Sequence, residues 1–212
     1  MVVRIITIER EYGCGAGDIA KEVAKRLSWK LWDERLTQEI AHLAHCQQAE
    51  IRKREERPDP LYYRLFKSFA MGSYEGSPDA ASVEMLDADS IVRFSEQVVQ
   101  HAAREGNCVI VGRGSQHFLR DRDDTLRLFL YAARKEKIRR LRAGGRSESE
   151  AEALINTVDR ERAAFIRKYF HAQWPKRSLY HAMLNTAAGD EIVTRAILSL
   201  VDRRRPPNDL AA

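Results

Sequence analysis

Three glycines at alternate positions, Gly13, Gly15 and Gly17, separate an apolar run from an amphipathic one. A tight turn of this kind aims backbone N–H groups and the positive end of a helix dipole at one point, which suits a phosphate. The stretch from Ile5 to Leu27, I-I-T-I-E-R-E-Y-G-C-G-A-G-D-I-A-K-E-V-A-K-R-L, belongs to a strand over Val2 to Ile8, the glycine turn, and a helix. Ile19, Ala20, Val23, Ala24 and Leu27 recur at the 3/4 spacing of one packed helical face. A working phosphate loop reads G-x-x-x-x-G-K-S/T, with the lysine on the β/γ-phosphates and the hydroxyl on Mg²⁺. Taking Gly15 as the second glycine puts Arg10 at the first glycine position, Ala16 at the lysine and Gly17 at the hydroxyl, with Asp18 next. The scaffold of a phosphate loop is present without its two chemical side chains. By itself the turn suits a phosphate site and a βα turn that binds nothing equally well.

Other residues with chemical potential lie at the ends of apolar runs. Arg113 sits between Gly112 and Gly114, directly after Cys108-Val109-Ile110-Val111. There the backbone can approach a ligand closely, and a guanidinium can grip a phosphate in a bidentate fashion. Asp33 follows a short apolar run, where it either caps a helix or contacts a substrate. Arg35, two residues on, is either bound or solvated. Arg139, Arg140, Arg142 and Arg146 precede Asp159, Arg160, Glu161 and Arg162 across a Gly144-Gly145 break. A lid closing positive charge over transferring phosphates needs such a group, although charge runs on helices are more often solvated faces. The six histidines make no pair at metal-ligand spacing, so no metal site is expected. Cys14, before a helix N-terminus, is either a small loop filler or a thiol of lowered pKa.

These residues need elements to hold them. A short strand at Trp29 to Trp32, a helix from about Arg35 to Ala49, and a charged, proline-closed hinge over Ile51 to Pro60 follow the first helix. Leu61 to Asp79 is aromatic, then Gly/Ser/Pro-containing, as either a mobile cap or an oligomer surface would be; a homodimer is one such use. A helix from Asp87 to Glu105 leads to the continuous apolar run Cys108 to Val111, as expected of a strand buried on both faces. Thr125 to Tyr131 is the next strand, and Lys135 to Arg142 a basic helix. Ser147 and Glu150 form a capping box opening a helix to about Tyr169. A last strand near His181 to Leu184 and a helix from Asp190 to Arg203 complete the pattern, and the residues past Pro206-Pro207 are expected to be disordered. Strands alternating with helices imply a parallel sheet covered on both faces, with ligands beyond the C-terminal strand ends.

Composition narrows the function classes. With 212 residues, 44% of them hydrophobic, the chain can build one α/β core with a small insertion. It has no apolar run of membrane length and no leader pattern, so a cytoplasmic protein with no membrane partner is expected. Three scattered cysteines fit reduced thiols rather than a disulfide frame. A net charge of +5 suits anionic partners, but it is spread over separate helices, which disfavours nucleic acid.

The ordered segments I-T-I-E-R-E-Y-G-C-G-A-G-D-I-A, L-W-D-E-R-L-T-Q-E-I-A, C-V-I-V-G-R-G, L-R-L-F-L-Y-A, V-D-R-E-R-A-A-F-I-R-K-Y-F and Y-H-A-M-L-N-T resemble the cytidylate kinase-like proteins, a P-loop branch related to bacterial cytidylate kinase. The resemblance runs colinearly from about Arg4 to Leu200 and is loosest from about Gln47 to Ala88. It implies an α/β, three-layer P-loop NTPase fold with a five-stranded parallel sheet. One domain over residues 1–205 would carry a helical NMP-binding region at about 35–105 and a helical lid at about 135–175, ahead of a tail at 206–212.

The function implied is transfer of a phosphoryl group from ATP, with Mg²⁺, to a nucleoside monophosphate (CMP favoured) or a similar small phosphate. By position, Gly13, Cys14, Gly15, Ala16, Gly17 and Asp18 would bind the donor nucleotide. Asp33, Arg35 and Arg113 would face the monophosphate, Asp159 and Arg162 belong to the lid, and Asn185-Thr186 lie near the donor base. Asp159 joins the substrate contacts, and the catalytic set is Arg113, Arg162 and Arg10. The departure is Ala16 and Gly17-Asp18, where the parent kinases carry Lys and Ser/Thr. A lost stabiliser of that kind costs roughly 3–4 kcal/mol of transition-state energy. Arg10 or a lid arginine would have to supply the charge from another direction. The alternative is a nucleotide-binding or regulatory protein that keeps the kinase fold with little or no turnover.

Overall fold

The computed structural model describes residues 2–33 and 88–202. The sheet has five strands: β1 (Ile5–Arg10), β2 (Lys30–Trp32), β3 (Cys108–Val111), β4 (Thr125–Tyr131) and β5 (Ala182–Asn185), in the spatial order β2-β3-β1-β4-β5. Every pairing is parallel, so all C-terminal ends open on one edge. Helices α1 (Ala16–Leu27), α2 (Ala88–Glu105), α3 (Ser115–Phe118), α4 (Arg134–Ala143), α5 (Glu148–Phe170) and α6 (Asp190–Asp202) complete the described elements.

The central strand is buried along its whole length because both faces are covered. Ile6 and Ile8 join Val109, Val111, Leu126, Leu128 and Leu130 against α1 (Ile19, Ala20, Val23) and α6 (Val193, Ile197, Val201). Ile5, Cys108 and Ile110 face the other way, onto Trp32, Leu119 and the Phe94, Val98, Val99 and Ala102 stripe of α2. This is why β3 reads as an unbroken apolar run. Truncating a fully buried Leu128 to Ala would cost about 2–5 kcal/mol on this account. Helices α4 and α5 make a smaller cluster of Leu141, Ala151, Ile155 and Val158 that closes over Tyr12, directly before the glycine turn.

The element boundaries follow the sequence closely, with instructive exceptions. The first strand was expected over Val2 to Ile8 and instead runs Ile5–Arg10. Its last two residues are charged, yet they continue the β4 pairing (Glu9 with Phe129, Arg10 with Leu130) and are buried. The second strand spans Lys30–Trp32, one residue shorter than the expected Trp29 to Trp32. The fifth lies at Ala182–Asn185, one residue later than His181 to Leu184. Helix α3, a single turn after Gly114, has no sequence signal because four residues carry no period. The capping box is formed: Ser147 Oγ accepts the Glu150 N–H at 3.3 Å, and Glu150 Oε2 accepts the Ser147 N–H at 2.8 Å. Arg35, the helix expected to Ala49, the hinge over Ile51 to Pro60, the aromatic stretch Leu61 to Asp79 and the tail at 206–212 lie outside the described residues.

No helix among the described residues is long and apolar enough to cross a membrane.

Candidate functional site

The turn after β1 is built from backbone. Gly13 (φ 75°) and Gly15 (φ 79°) adopt the left-handed conformation, and Gly15 is the N-cap of α1 with no side chain accepting from its first turn. The open amides of that turn and the helix dipole therefore face the strand-end edge. A Cβ on Gly15 would land on Arg140 Nη1, so glycine is required by space as well as by φ.

Polar contacts pin this turn from three directions. The Thr186 hydroxyl donates to the Cys14 carbonyl at 2.7 Å. The Tyr12 N–H donates to Asp159 Oδ1 at 2.8 Å. Lys137, buried on α4, donates to Glu11 Oε2 at 3.0 Å and to Asp159 Oδ2 at 3.3 Å. These bonds tie α4 and α5 to the residues entering the turn. Buried, mutually satisfied charges of this kind hold geometry more than they add stability.

Beside the turn lies a cluster of buried arginines. Arg10, Arg113 and Arg162 are 4%, 2% and 5% exposed, far below what arginine ordinarily shows. Burial, with Arg10 adding repulsion, pushes Arg113 down to about 9. The same two causes push Arg162 to about 10. Both remain cations at neutral pH, and their mutual repulsion is what a bound anion would relieve. Asp33, buried after β2, and Glu9 act in the opposite sense on Arg113. Arg113 also has φ 60°, between Gly112 (68°) and Gly114 (70°). A bulky residue held left-handed inside a folded chain is stored strain of the kind found at ligand sites.

A cavity of about 370 Å³ opens between these parts, lined by the turn from Arg10 to Asp18 together with Arg139, Arg140, Gly144 and Arg162. The structure thus brings Arg10, Gly13, Cys14, Gly15, Ala16, Gly17, Asp18 and Arg162 to one space. Asp33 and Arg113 do not line it but join it electrostatically through Arg10 and Arg162. Asp159 stands off the lining, occupied by the Tyr12 N–H, Lys137 and Arg162. Cys14 contributes backbone only. Burial raises its thiol to about 11, and Sγ donates to the Leu130 carbonyl at 3.6 Å, as suits a small loop filler.

The arginines of α4 divide. Arg140 reaches the turn, whereas Arg142 pairs with Glu148 on the surface. Asn185 caps the Ala187 N–H with its own side chain, and Thr186 is a buried clip on the turn. Lys137, Glu9 and Gln116, whose amide donates to Glu9 Oε2, escaped the sequence reading. Lys137 is one cation among many on a basic helix, and only its i,i+4 relation to the apolar Leu141 could have marked it as inward-facing.

The described residues form no dedicated metal site. No three His, Cys, Asp or Glu converge among them, and Gly17 offers no hydroxyl.

The sequence profile of the cytidylate kinase-like family matches residues 5–188. No curated protein matches the chain. Among solved structures, an uncharacterized protein from Eubacterium ventriosum superposes with a TM-score of 0.65 at 20% identity, covering 95% of this chain and 99% of that one. Shikimate kinase from Bacteroides thetaiotaomicron gives a TM-score of 0.53 at 15% identity over 94% and 98% of the two chains. The Acinetobacter baumannii shikimate kinase gives 0.50 at 16% over 96% and 95%. The shared fold is that of the P-loop kinases.

Proposed function

Since the chain belongs to the cytidylate kinase-like family, we propose that it is a phosphotransferase moving a phosphoryl group from a nucleoside triphosphate, ATP, to a small phosphate-bearing acceptor, with CMP the first candidate. The observation that carries this reading is the adjacency of two anion-binding devices. A glycine-rich turn of backbone N–H groups, with no side chain capping it, stands next to three buried arginines at the C-terminal edge of one sheet.

The residues divide the work. The amides from Gly13 to Asp18 receive the donor phosphates. Arg113, fixed in its strained turn, holds the acceptor phosphate, with Asp33 beside it as a hydrogen-bond acceptor; Arg35 belongs to the same side by position. Arg162 touches both halves, since its Nη1 donates to the Arg10 carbonyl at 3.1 Å and lies 3.4 Å from Asp159, and it stabilises charge on the group in flight. Little covalent work falls to the protein in such a transfer, so positioning and preorganised charge supply the rate. Magnesium enters as the companion of the donor phosphates, its usual habit where the protein offers few ligands. Residues 1–205 act as one kinase-like unit, with about 135–175 as the lid.

A second reading, nucleotide binding without turnover, draws on Ala16 and Gly17. A coupled ADP-release assay with ATP/Mg²⁺ against a panel of nucleoside monophosphates separates the two. Turnover on CMP that Arg113→Ala abolishes supports the enzyme. Absence of turnover on every acceptor, with ATP or CMP still raising the melting temperature, supports the binding protein.

A further inference from the structure

Four cations line or support the turn besides Arg10, and each already has a carboxylate at close range. Arg140 donates from Nε to Glu136 at 3.0 Å, from Nη1 to Asp190 at 3.2 Å, and from Nη2 to Asp190 at 2.7 Å and to the Thr186 carbonyl at 3.2 Å. Four of its five N–H groups are spent and two carboxylates offset its charge. Arg139 is held by Glu136 at 2.6 and 2.8 Å. Lys137 lies between Glu11 and Asp159. Arg162 contacts Asp159 and gives a hydrogen bond to the Arg10 carbonyl.

Arg10 differs. Among the described residues its nearest carboxylate, Glu9, is 3.8 Å from Nη1, too far for a hydrogen bond. Glu9 is itself engaged by the Gln116 amide and the Arg10 N–H. Among the described residues, Arg10 Nε and Nη2 are buried with no acceptor. Unmet donors on a buried cation are costly and call for an explanation. The side chain is nonetheless fixed. Its backbone ends the β1–β4 pairing, and its Nη1 lies where a Cβ on Gly112 would stand. A rigid, unmet guanidinium lining the cavity is preorganised for an anion.

We propose that Arg10 replaces the phosphate-loop lysine, delivering from the end of β1 the positive charge that Ala16 no longer delivers from the start of α1. This rests on the phosphotransfer reading above. In the step it serves, an acceptor phosphate oxygen forms a bond to the terminal phosphorus of the donor as the bond from that phosphorus to its bridging oxygen breaks. The bridging oxygen leaves with the electron pair on the nucleoside diphosphate. Charge on the transferring group and on the leaving oxygen falls beside the Arg10 guanidinium, which lines the cavity and whose Nε and Nη2 have no acceptor among the described residues.

The experiment compares wild type, Arg10→Met, Ala16→Lys and the Arg10→Met/Ala16→Lys double variant in single-turnover transfer from ATP. ATP affinity by calorimetry and the unliganded melting temperature are measured on the same proteins. Arg10→Met is expected to lower the transfer rate by about 100-fold or more, the usual effect of deleting one preorganised donor. ATP affinity should shift far less than that. Ala16→Lys should recover at least about tenfold in the Arg10→Met background, as expected when one charge substitutes for another. Arg10→Met should melt no lower than wild type, because an unsatisfied buried cation gives way to an apolar chain. A wild-type rate in Arg10→Met overturns the proposal and leaves the phosphotransfer reading standing. So does a lost rate that Ala16→Lys cannot restore, accompanied by a lower melting temperature, since that marks a structural role. If wild type itself transfers nothing to any acceptor, the phosphotransfer reading falls and this proposal falls with it.

Discussion

Two turns follow neighbouring parallel strands, use the same left-handed backbone, and put it to opposite ends. After β1, Gly13 and Gly15 remove side chains so that amides face the cavity. After β3, Gly112 and Gly114 flank Arg113, and the turn submerges a cation instead. Their supports differ as well. The first turn is held by ion pairs and hydrogen bonds from Lys137, Asp159 and Thr186. The second is packed by aromatic rings: Phe170 fills the space beside Gly114, and it stacks on His117 at 4.3 Å between centroids. Positive charge missing from the backbone-made turn is thus present as buried guanidinium at the strand ends.

The largest effect should come from the second turn. Arg113→Ala is expected to lower kcat/KM by on the order of 100- to 1000-fold, through the acceptor's KM and kcat with the donor's KM nearly unchanged. Steady-state kinetics varying each substrate in turn decides it. A rise confined to the donor's KM would erase the division between the two turns. Next, Gly114→Ala forces a left-handed alanine against Phe170. It should destabilise by about 2–4 kcal/mol, the sum of strain and overpacking, read as a fall in urea midpoint.

Acid should discriminate between the supports by a smaller amount. Burial, then Arg120 and Lys176, push His117 down from 6.5 to about 4. The fold therefore holds it neutral. The stability this contributes is present above pH 6.5 and drains away as pH falls from 6.5 toward 4, because the unfolded chain takes up the proton first. Discounted for its partial exposure, the loss is on the order of 1–2 kcal/mol, and His117→Gln should flatten it in a series of melts against pH. The smallest change lies far from both turns. Ser147→Ala opens the capping box for about 1 kcal/mol and should leave turnover untouched. A loss of activity there would mean that the start of α5 feeds the site.

Legibility followed the physics of each signal. β3 is readable to the residue, since a strand buried on both faces needs an unbroken apolar stretch, and β4 despite Arg127, because apolar residues flank it. Ser147 and Glu150 announced the start of α5 through local hydrogen bonding. Arg113 stood out because two glycines frame it. The last residues of β1 were misjudged because Glu9 and Arg10 are charged, and charge argues against a buried strand unless something distant receives it. Lys137 and Gln116 were invisible for the same reason: their partners, Glu11, Asp159 and Glu9, lie more than twenty residues away in sequence.

By itself, then, the sequence determined the alternation of strands and helices, the glycine turn with its missing lysine, and the kinase family, because periodicity, turn chemistry and capping act over a few residues. Only the tertiary structure decided the strand order that sets β1 between β3 and β4, and the convergence of Arg10, Arg113 and Arg162. It also decided, among the described cations lining or supporting the turn, that Arg139, Arg140, Lys137 and Arg162 lie close to carboxylates while Arg10 stands 3.8 Å from Glu9. Coulomb interactions and desolvation depend on distance through space, and no spacing along the chain encodes that.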